Sequence, residues 1–187
     1  MPEWRIGSGP VPGNHGGMLP LTTERLLIRP FQLEDAPFIL RLLNEPSFIV
    51  NIADRGVRTL EQAVAYLENG PLASYAAHGH GLWLVAHRQT GTAMGMCGLI
   101  KRDALPEVDL GYAFLPEFWG LGHALEAAEA CVAYGASLGL QGLLAIVSPG
   151  NSASIRLLEK AGFQPTGRLE LVPGDPVEVF RKELGQP

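Results

Sequence analysis

Pro116-Glu117-Phe118-Trp119-Gly120-Leu121-Gly122-His123-Ala124-Leu125-Glu126 follows an apolar run, Asp109 to Leu115, and precedes a helical pattern. Strand, glycine turn and helix in that order aim several backbone N–H groups at one point. The positive end of the helix dipole adds to their pull on an anion. Glycine has no Cβ to keep a phosphate away from the backbone. The stretch therefore reads as a site for a phosphorylated ligand. A dinucleotide-binding Rossmann reading does not fit: Gly120-Leu121-Gly122 lacks the third glycine at the required spacing, and the strand comes late in the chain.

The 187 residues are the size of one domain with a substantial core, and a hydrophobic fraction of 47% argues against disorder. A net charge of −5 and the lack of a basic run argue against nucleic acid as the main partner. Cys97 and Cys131 lie in apolar surroundings without metal-ligand spacing and read as reduced core residues. No apolar segment reaches the roughly 20 residues that span a bilayer. The N-terminus shows no signal-peptide pattern, so a cytoplasmic protein without a membrane partner is expected.

Residues 1–20, rich in Gly and Pro, read as a flexible leader, with Met18 as a possible true start. A single domain is expected over 21–183, with a tail at 184–187. Leu26–Ile28 reads as a first strand ended by Pro30, and helical spacing runs from about Glu34 to Leu43. Thr59 and Gln62 have the spacing of a capping box for a second helix, which Gly70-Pro71 should stop. Leu82–Ala86 and Ala93–Lys101 read as strands joined by the turn at 88–91, and Val108–Leu115 as the fourth strand. A helix over Gly122–Leu138, a buried strand over Leu143–Val147 and a helix over Asn151–Ala161 follow. Phe163–Leu171 and Val177–Arg181 complete the sheet. This order predicts an α/β layered (α+β) domain.

A second segment acts with the glycine turn: Val147-Ser148-Pro149-Gly150-Asn151-Ser152-Ala153-Ser154-Ile155-Arg156-Leu157-Leu158-Glu159-Lys160-Ala161-Gly162-Phe163. With the opening Thr23-Glu24-Arg25-Leu26-Leu27-Ile28-Arg29-Pro30, the two resemble the GNAT acetyltransferases, within them the RimJ/RimL-like branch. The resemblance covers roughly residues 21–183, with its three pieces in family order and spacing. It implies a mixed sheet of about six to seven strands with helices on both faces and splayed fourth and fifth strands. It also implies N-acetyl transfer from acetyl-coenzyme A, with no metal, by a monomer or homodimer.

The resemblance further implies that the pyrophosphate of acetyl-coenzyme A meets backbone N–H groups at Gly120, Leu121, Gly122, His123 and Ala124. The pantetheine arm would lie along the fourth strand near Phe114 and Leu115, like an added strand on an unpaired edge. The wider superfamily often places Gln or Arg where Glu117 stands, and this carboxylate is expected to face solvent. Asn151 is both a favoured helix cap and, by resemblance, a partner of the pantetheine arm.

Acyl transfer to an amine needs a base for the amine proton, a donor for the oxyanion and a donor for the departing thiolate. A fourth-strand N–H is the natural oxyanion donor. The tyrosine that many relatives use on the thiolate is replaced by Leu158. The branch pattern puts Ser154 in that role, against a plain first-turn serine bonding locally. For the base, the resemblance points to Asp109 acting through water. Glu107 and Asp109 lie two residues apart, hence on one side of the strand, and a solvated edge charge is the other reading. His123 is expected to act through its backbone, and His78 and His80 to face solvent.

Two functions stay open on this reading. One is an N-acetyltransferase acting on a protein N-terminus or a small-molecule amine. The other is a non-enzymatic acyl-coenzyme A binding or sensing module. Acceptor pockets in the family come from residues equivalent to 31–80 and 166–178. There Phe48 and Tyr75, with Trp83 nearby, either line a pocket or fill the core.

Overall fold

A computed structural model describes residues 18–185. Residues 1–17, most of the expected leader, lie outside the described residues. Eight strands form one sheet: β1 (Leu21–Thr22), β2 (Leu26–Pro30), β3 (Leu82–His87), β4 (Ala93–Ile100), β5 (Asp109–Phe114), β6 (Gly142–Val147), β7 (Gln164–Val172) and β8 (Asp175–Glu183). Their order across the sheet is β1-β2-β3-β4-β5-β6-β8-β7. Every neighbouring pair is antiparallel except β5 and β6, which run parallel. The sequence leads to six or seven strands. The extra one is β1, two residues pairing Leu21 with Ile28 and Thr22 with Leu27, too short to carry a periodic signal.

Six α-helices accompany the sheet: α1 (Ala36–Leu43), α2 (Pro46–Asn51), α3 (Leu60–Leu67), α4 (Ala73–His78), α5 (His123–Ser137) and α6 (Ser152–Lys160). Strand alternation divides the apolar side chains between two layers. Trp83, Val85, Cys97, Leu99, Leu110 and Phe114 pack with Ala127, Ala128 and Cys131 of α5 and Leu158 of α6. Leu84, Ala86, Met96 and Ala113 pack with Ile39, Leu42 and Leu43 of α1 and Ala63 and Leu67 of α3. The helices thus cover both faces.

Thr59 caps α3 as its spacing predicts: the Gln62 N–H donates to Thr59 Oγ1 at 3.2 Å, and the Thr59 N–H donates to Gln62 Oε1 at 3.1 Å. Gly70-Pro71 does not stop the chain's helical course. Residues Glu68–Leu72 form a wide π-type turn with Pro71 inside and buried, and α4 follows directly. The i→i+5 spacing of such a turn loosens the ladder where Pro lacks its N–H. The helical run ends instead at Gly79, whose φ is 72°. Helix α2 has no counterpart in the sequence reading, because six residues are too few to establish a period.

Candidate active site

The site begins where β5 and β6 part. The two strands pair at one register position, Asp109 with Leu144, where the Leu144 N–H donates to the Val108 carbonyl at 2.9 Å. Beyond that bridge β5 continues to Phe114 and β6 to Val147 without further pairing, so the expected splay is present. On its other side β5 is fully laddered to β4, and the Leu115 N–H donates to the Met94 carbonyl at 2.9 Å. Alternation then turns the backbone groups of Gly111 and Ala113 toward β4 and those of Tyr112 and Phe114 toward the gap. Phe114 is therefore the edge group of the predicted pair, while the Leu115 N–H is already spent. The Phe114 carbonyl takes a hydrogen bond from Trp119 Nε1 at 2.9 Å.

At its C-terminal end β5 runs through the short turn Pro116–Phe118 into the glycines. Gly120 and Gly122 have φ of 74° and 82°, left-handed values that side chains with a Cβ disfavour. Gly122 is the N-cap of α5, and no side chain caps that helix. A helix leaves its first N–H groups without intrahelical acceptors. Those of His123 and Ala124 consequently stand with the turn amides at the positive end of a fifteen-residue helix. The His123 side chain is buried, with Nδ1 3.4 Å from the Phe118 carbonyl.

The opening Thr23-Glu24-Arg25 motif fastens this turn. The Arg25 guanidinium donates to the Leu121 carbonyl at 2.7 Å and to Glu126 Oε2 at 2.7 Å. Glu126 Oε1 accepts from the Thr23 hydroxyl at 2.6 Å and the Arg25 N–H at 2.9 Å. Burial pulls the Glu126 carboxyl up, but these donors outweigh it and hold the group below the usual carboxylate range. A Cβ on Gly122 would sit 3.2 Å from Arg25 Nη2, so the fastening leaves little slack at the second glycine. Glu117 is turned toward Arg41 of α1 in a half-exposed ion pair.

Asn151 caps α6, its Oδ1 accepting from the Ser154 N–H at 3.3 Å. The Ser154 hydroxyl bonds across the gap rather than locally: the Tyr112 hydroxyl donates to Ser154 Oγ at 2.9 Å. Tyr112 was missed in the sequence. The signal that could have found it is alternation, since it lies two residues from Phe114 on the edge strand and faces the same side. Leu158, where the family tyrosine is absent, is buried in the core.

Asp109 is not a solvated edge charge. It is 1% exposed, held by Arg102 Nε at 3.0 Å through Oδ1, while Oδ2 has no hydrogen-bond partner among the described residues. Burial raises its carboxyl above the usual range, against the opposing pull of Arg102. Glu107 does not share this setting. Arg181 grips it with two hydrogen bonds, at 2.7 and 3.0 Å, and holds it below the usual range. Alternation places Asp109 on the face opposite Tyr112, with Ala113, toward α1 and α3. Tyr66 of α3 lies within the electrostatic reach of Arg102 and Arg55.

Phe48, Tyr75 and Trp83 are all buried and fill the core. His80 corrects the solvent-facing expectation. It is buried, with Nδ1 2.9 Å from the Leu99 carbonyl, and burial lowers its pKa. Its ring stacks on that of His78 at 5.8 Å. Among the described residues no group of His, Cys, Asp and Glu side chains could hold a metal ion. No helix among them is long and apolar enough to cross a membrane.

A mixed sheet opened between two parallel strands, with a glycine turn that no side chain caps at one end of the opening, is the arrangement these elements make. The acetyltransferase (GNAT) domain family matches residues 25–164, and the chain belongs to that family. It is 32% identical over 154 residues to YoaA of Bacillus subtilis (strain 168), an uncharacterized N-acetyltransferase, covering 80% of this chain and 85% of YoaA. Among solved structures, the acetyltransferase from Agrobacterium tumefaciens str. C58 superposes with a TM-score of 0.75 at 27% identity, over 95% of this chain and 99% of that one. RimL, a ribosomal L7/L12 alpha-N-protein acetyltransferase solved with coenzyme A, shares the fold at a TM-score of 0.74 and 15% identity, over 87% of this chain and 96% of RimL.

Proposed function

We propose that the chain moves an acetyl group from acetyl-coenzyme A to a primary amine, on a protein N-terminus or a small molecule, by direct attack on the thioester. The observation that carries this reading is the opening between β5 and β6, bridged only at Asp109–Leu144 and ending at the uncapped turn. An amide-bearing arm entering that opening meets the backbone groups of Tyr112 and the N–H of Phe114, whose carbonyl is already taken by Trp119, and a pyrophosphate finds the N–H groups of Gly120, Leu121, Gly122, His123 and Ala124. That RimL was solved with coenzyme A supports the ligand.

The chemistry then falls to three groups. A neutral amine attacks the carbonyl carbon, and a β5 edge N–H meets the oxyanion. Asp109, buried and raised, takes the amine proton through water and is closer to neutrality for that purpose than an exposed carboxylate. As the C–S bond breaks, its electron pair goes to sulfur, and Ser154 donates a hydrogen bond to the thiolate. Because Asp109 and Ser154 serve opposite faces of β5, the amine approaches from the α1/α3 side and the thiol leaves on the α6 side.

The test is release of free thiol from acetyl-coenzyme A with a panel of small amines and peptide N-termini. Amine-dependent release with matching acetylated product is the expected result. Tight coenzyme A binding without release above the amine-free blank would establish a binding module instead.

A further inference from the structure

Resting on that reading, we propose that Tyr112 is a positioning residue for the leaving sulfur: its hydroxyl, 2.9 Å from Ser154 Oγ, occupies the serine's acceptor side and commits the serine's own proton to the opening between β5 and β6. A serine hydroxyl has one proton to give and two lone pairs to receive with. When one lone pair is filled by Tyr112, the proton must point away from the tyrosine. Of the carbonyls one turn back, that of Gly150 lies outside α6 and that of Asn151 already accepts from the Ile155 N–H at 3.1 Å. The Ser154 N–H is taken by Asn151, so the backbone at this residue is fixed as well.

The placement suits a thiol. The arm enters from the glycine turn and runs back along the β5 edge. A strand rises about 3.3 Å per residue, so the path from Leu115 to Tyr112 covers roughly 10 Å. Tyr112 pairs with Cys97 of β4 in the sheet register and packs against the layer that holds α5 and α6. Burial, the largest cause, pushes the Tyr112 phenol up to about 12. The phenol therefore stays a donor across the working range, and no proton leaves it. Two hydroxyls in line, Tyr112 to Ser154 to sulfur, polarise one another and strengthen the bond that meets the thiolate. This arrangement does the work of the tyrosine missing at Leu158 with a tyrosine from β5 acting at one remove.

The readout is the pKa of the coenzyme A thiol when bound, followed by thiolate absorbance with protein in excess and the protein-only titration subtracted. It needs no acceptor amine. In the native chain the bound thiol should titrate below free coenzyme A. Ser154→Ala should raise it by about 1–2 units, the size of a lost hydrogen bond to a charge. Tyr112→Phe should raise it by roughly half a unit to one unit, and should add nothing in the Ser154→Ala background. Coenzyme A affinity, measured where the thiol is protonated, should stay unchanged in Tyr112→Phe. With an active amine, kcat should fall about two- to tenfold without a change in KM. An unshifted thiol in Tyr112→Phe overturns the assignment, as does an equal shift in the Ser154→Ala background. Failure of the native chain to bind coenzyme A overturns the acetyltransferase reading and this assignment with it.

Discussion

At its C-terminal end β5 runs into Gly120–Ala124, where the groups offered to a ligand are backbone N–H groups. At its N-terminal end and middle it offers side chains, Asp109 to one face and Tyr112 to the other. The first region is held by the Arg25 clamp on Leu121 and Glu126 and depends on two left-handed glycines. The second depends on long-range partners, Arg102 for Asp109 and Ser154 for Tyr112. The proposed function puts binding and chemistry at different points of one strand, so substitutions at the two ends should separate affinity from turnover.

The sharpest break between them is expected at Ser154. Ser154→Ala removes a donor to a charged sulfur, about 1.5–3 kcal/mol, and should lower turnover roughly 10- to 150-fold with coenzyme A affinity nearly intact. Steady-state kinetics beside calorimetry checks both halves, and equal activity would leave Ser154 a structural residue. The opposite pattern is expected at Gly122. A β-branched residue at φ 82°, with its Cβ 3.2 Å from Arg25 Nη2, strains the turn by about 1–3 kcal/mol. Gly122→Val should weaken coenzyme A binding by about tenfold or more, and unchanged affinity by calorimetry would count against the turn as the phosphate site.

As the proposed base, Asp109 would link the chemistry to pH. Its folded-state carboxyl is raised, so the folded chain holds that proton at higher pH than the unfolded chain does. Its contribution to stability is fully present below the unfolded value of about 3.8 and is lost as pH climbs through the folded value. Asp109→Asn should therefore gain in melting temperature relative to the native chain as pH rises above the unfolded value of about 3.8. It should also flatten the acid limb of the rate profile if the carboxylate is the base. A parallel pair of melting curves across that range would show that burial does not penalise this charge.

Glu107 provides the control. It is two residues away but gripped by Arg181 and lowered, so its stabilising part is present above the ordinary carboxylate value and fades as pH falls. The pair is partly exposed, and Glu107→Gln should cost about 0.5–1 kcal/mol at pH 7 with turnover unchanged. A thermal shift opposite in sign to that of Asp109→Asn is the signature. A loss of turnover would bring Glu107 into the site.

The glycine turn was legible in the sequence because it is local. Gly120, Gly122 and the start of α5 lie within a few residues, and a strand–turn–helix pattern needs no distant partner to be recognised. The capping of α3 by Thr59 and Gln62 was legible for the same reason. Ser154 and Asp109 were named from the sequence by resemblance, but their surroundings were not, because those contacts span the chain. Ser154 meets Tyr112 across 42 residues, and no local pattern marks that bond. For Asp109 the sequence left open a base acting through water and a solvated edge charge, since its burial depends on strands and helices closing around it. His80 and Pro71 show the same limit: a Gly-flanked histidine became a buried one, and a helix stop became a wide turn, through packing that spacing does not encode.

The central claim is that one opening along β5 holds coenzyme A from a backbone-built phosphate site to a serine-tipped thiol site. A crystal structure of the coenzyme A complex tests it most directly. The account predicts the pyrophosphate on the N–H groups of residues 120–124, the arm paired to the β5 edge at Tyr112 and Phe114, and the sulfur within hydrogen-bond reach of Ser154. A pyrophosphate bound away from the glycine turn, or a sulfur remote from Ser154, would contradict it.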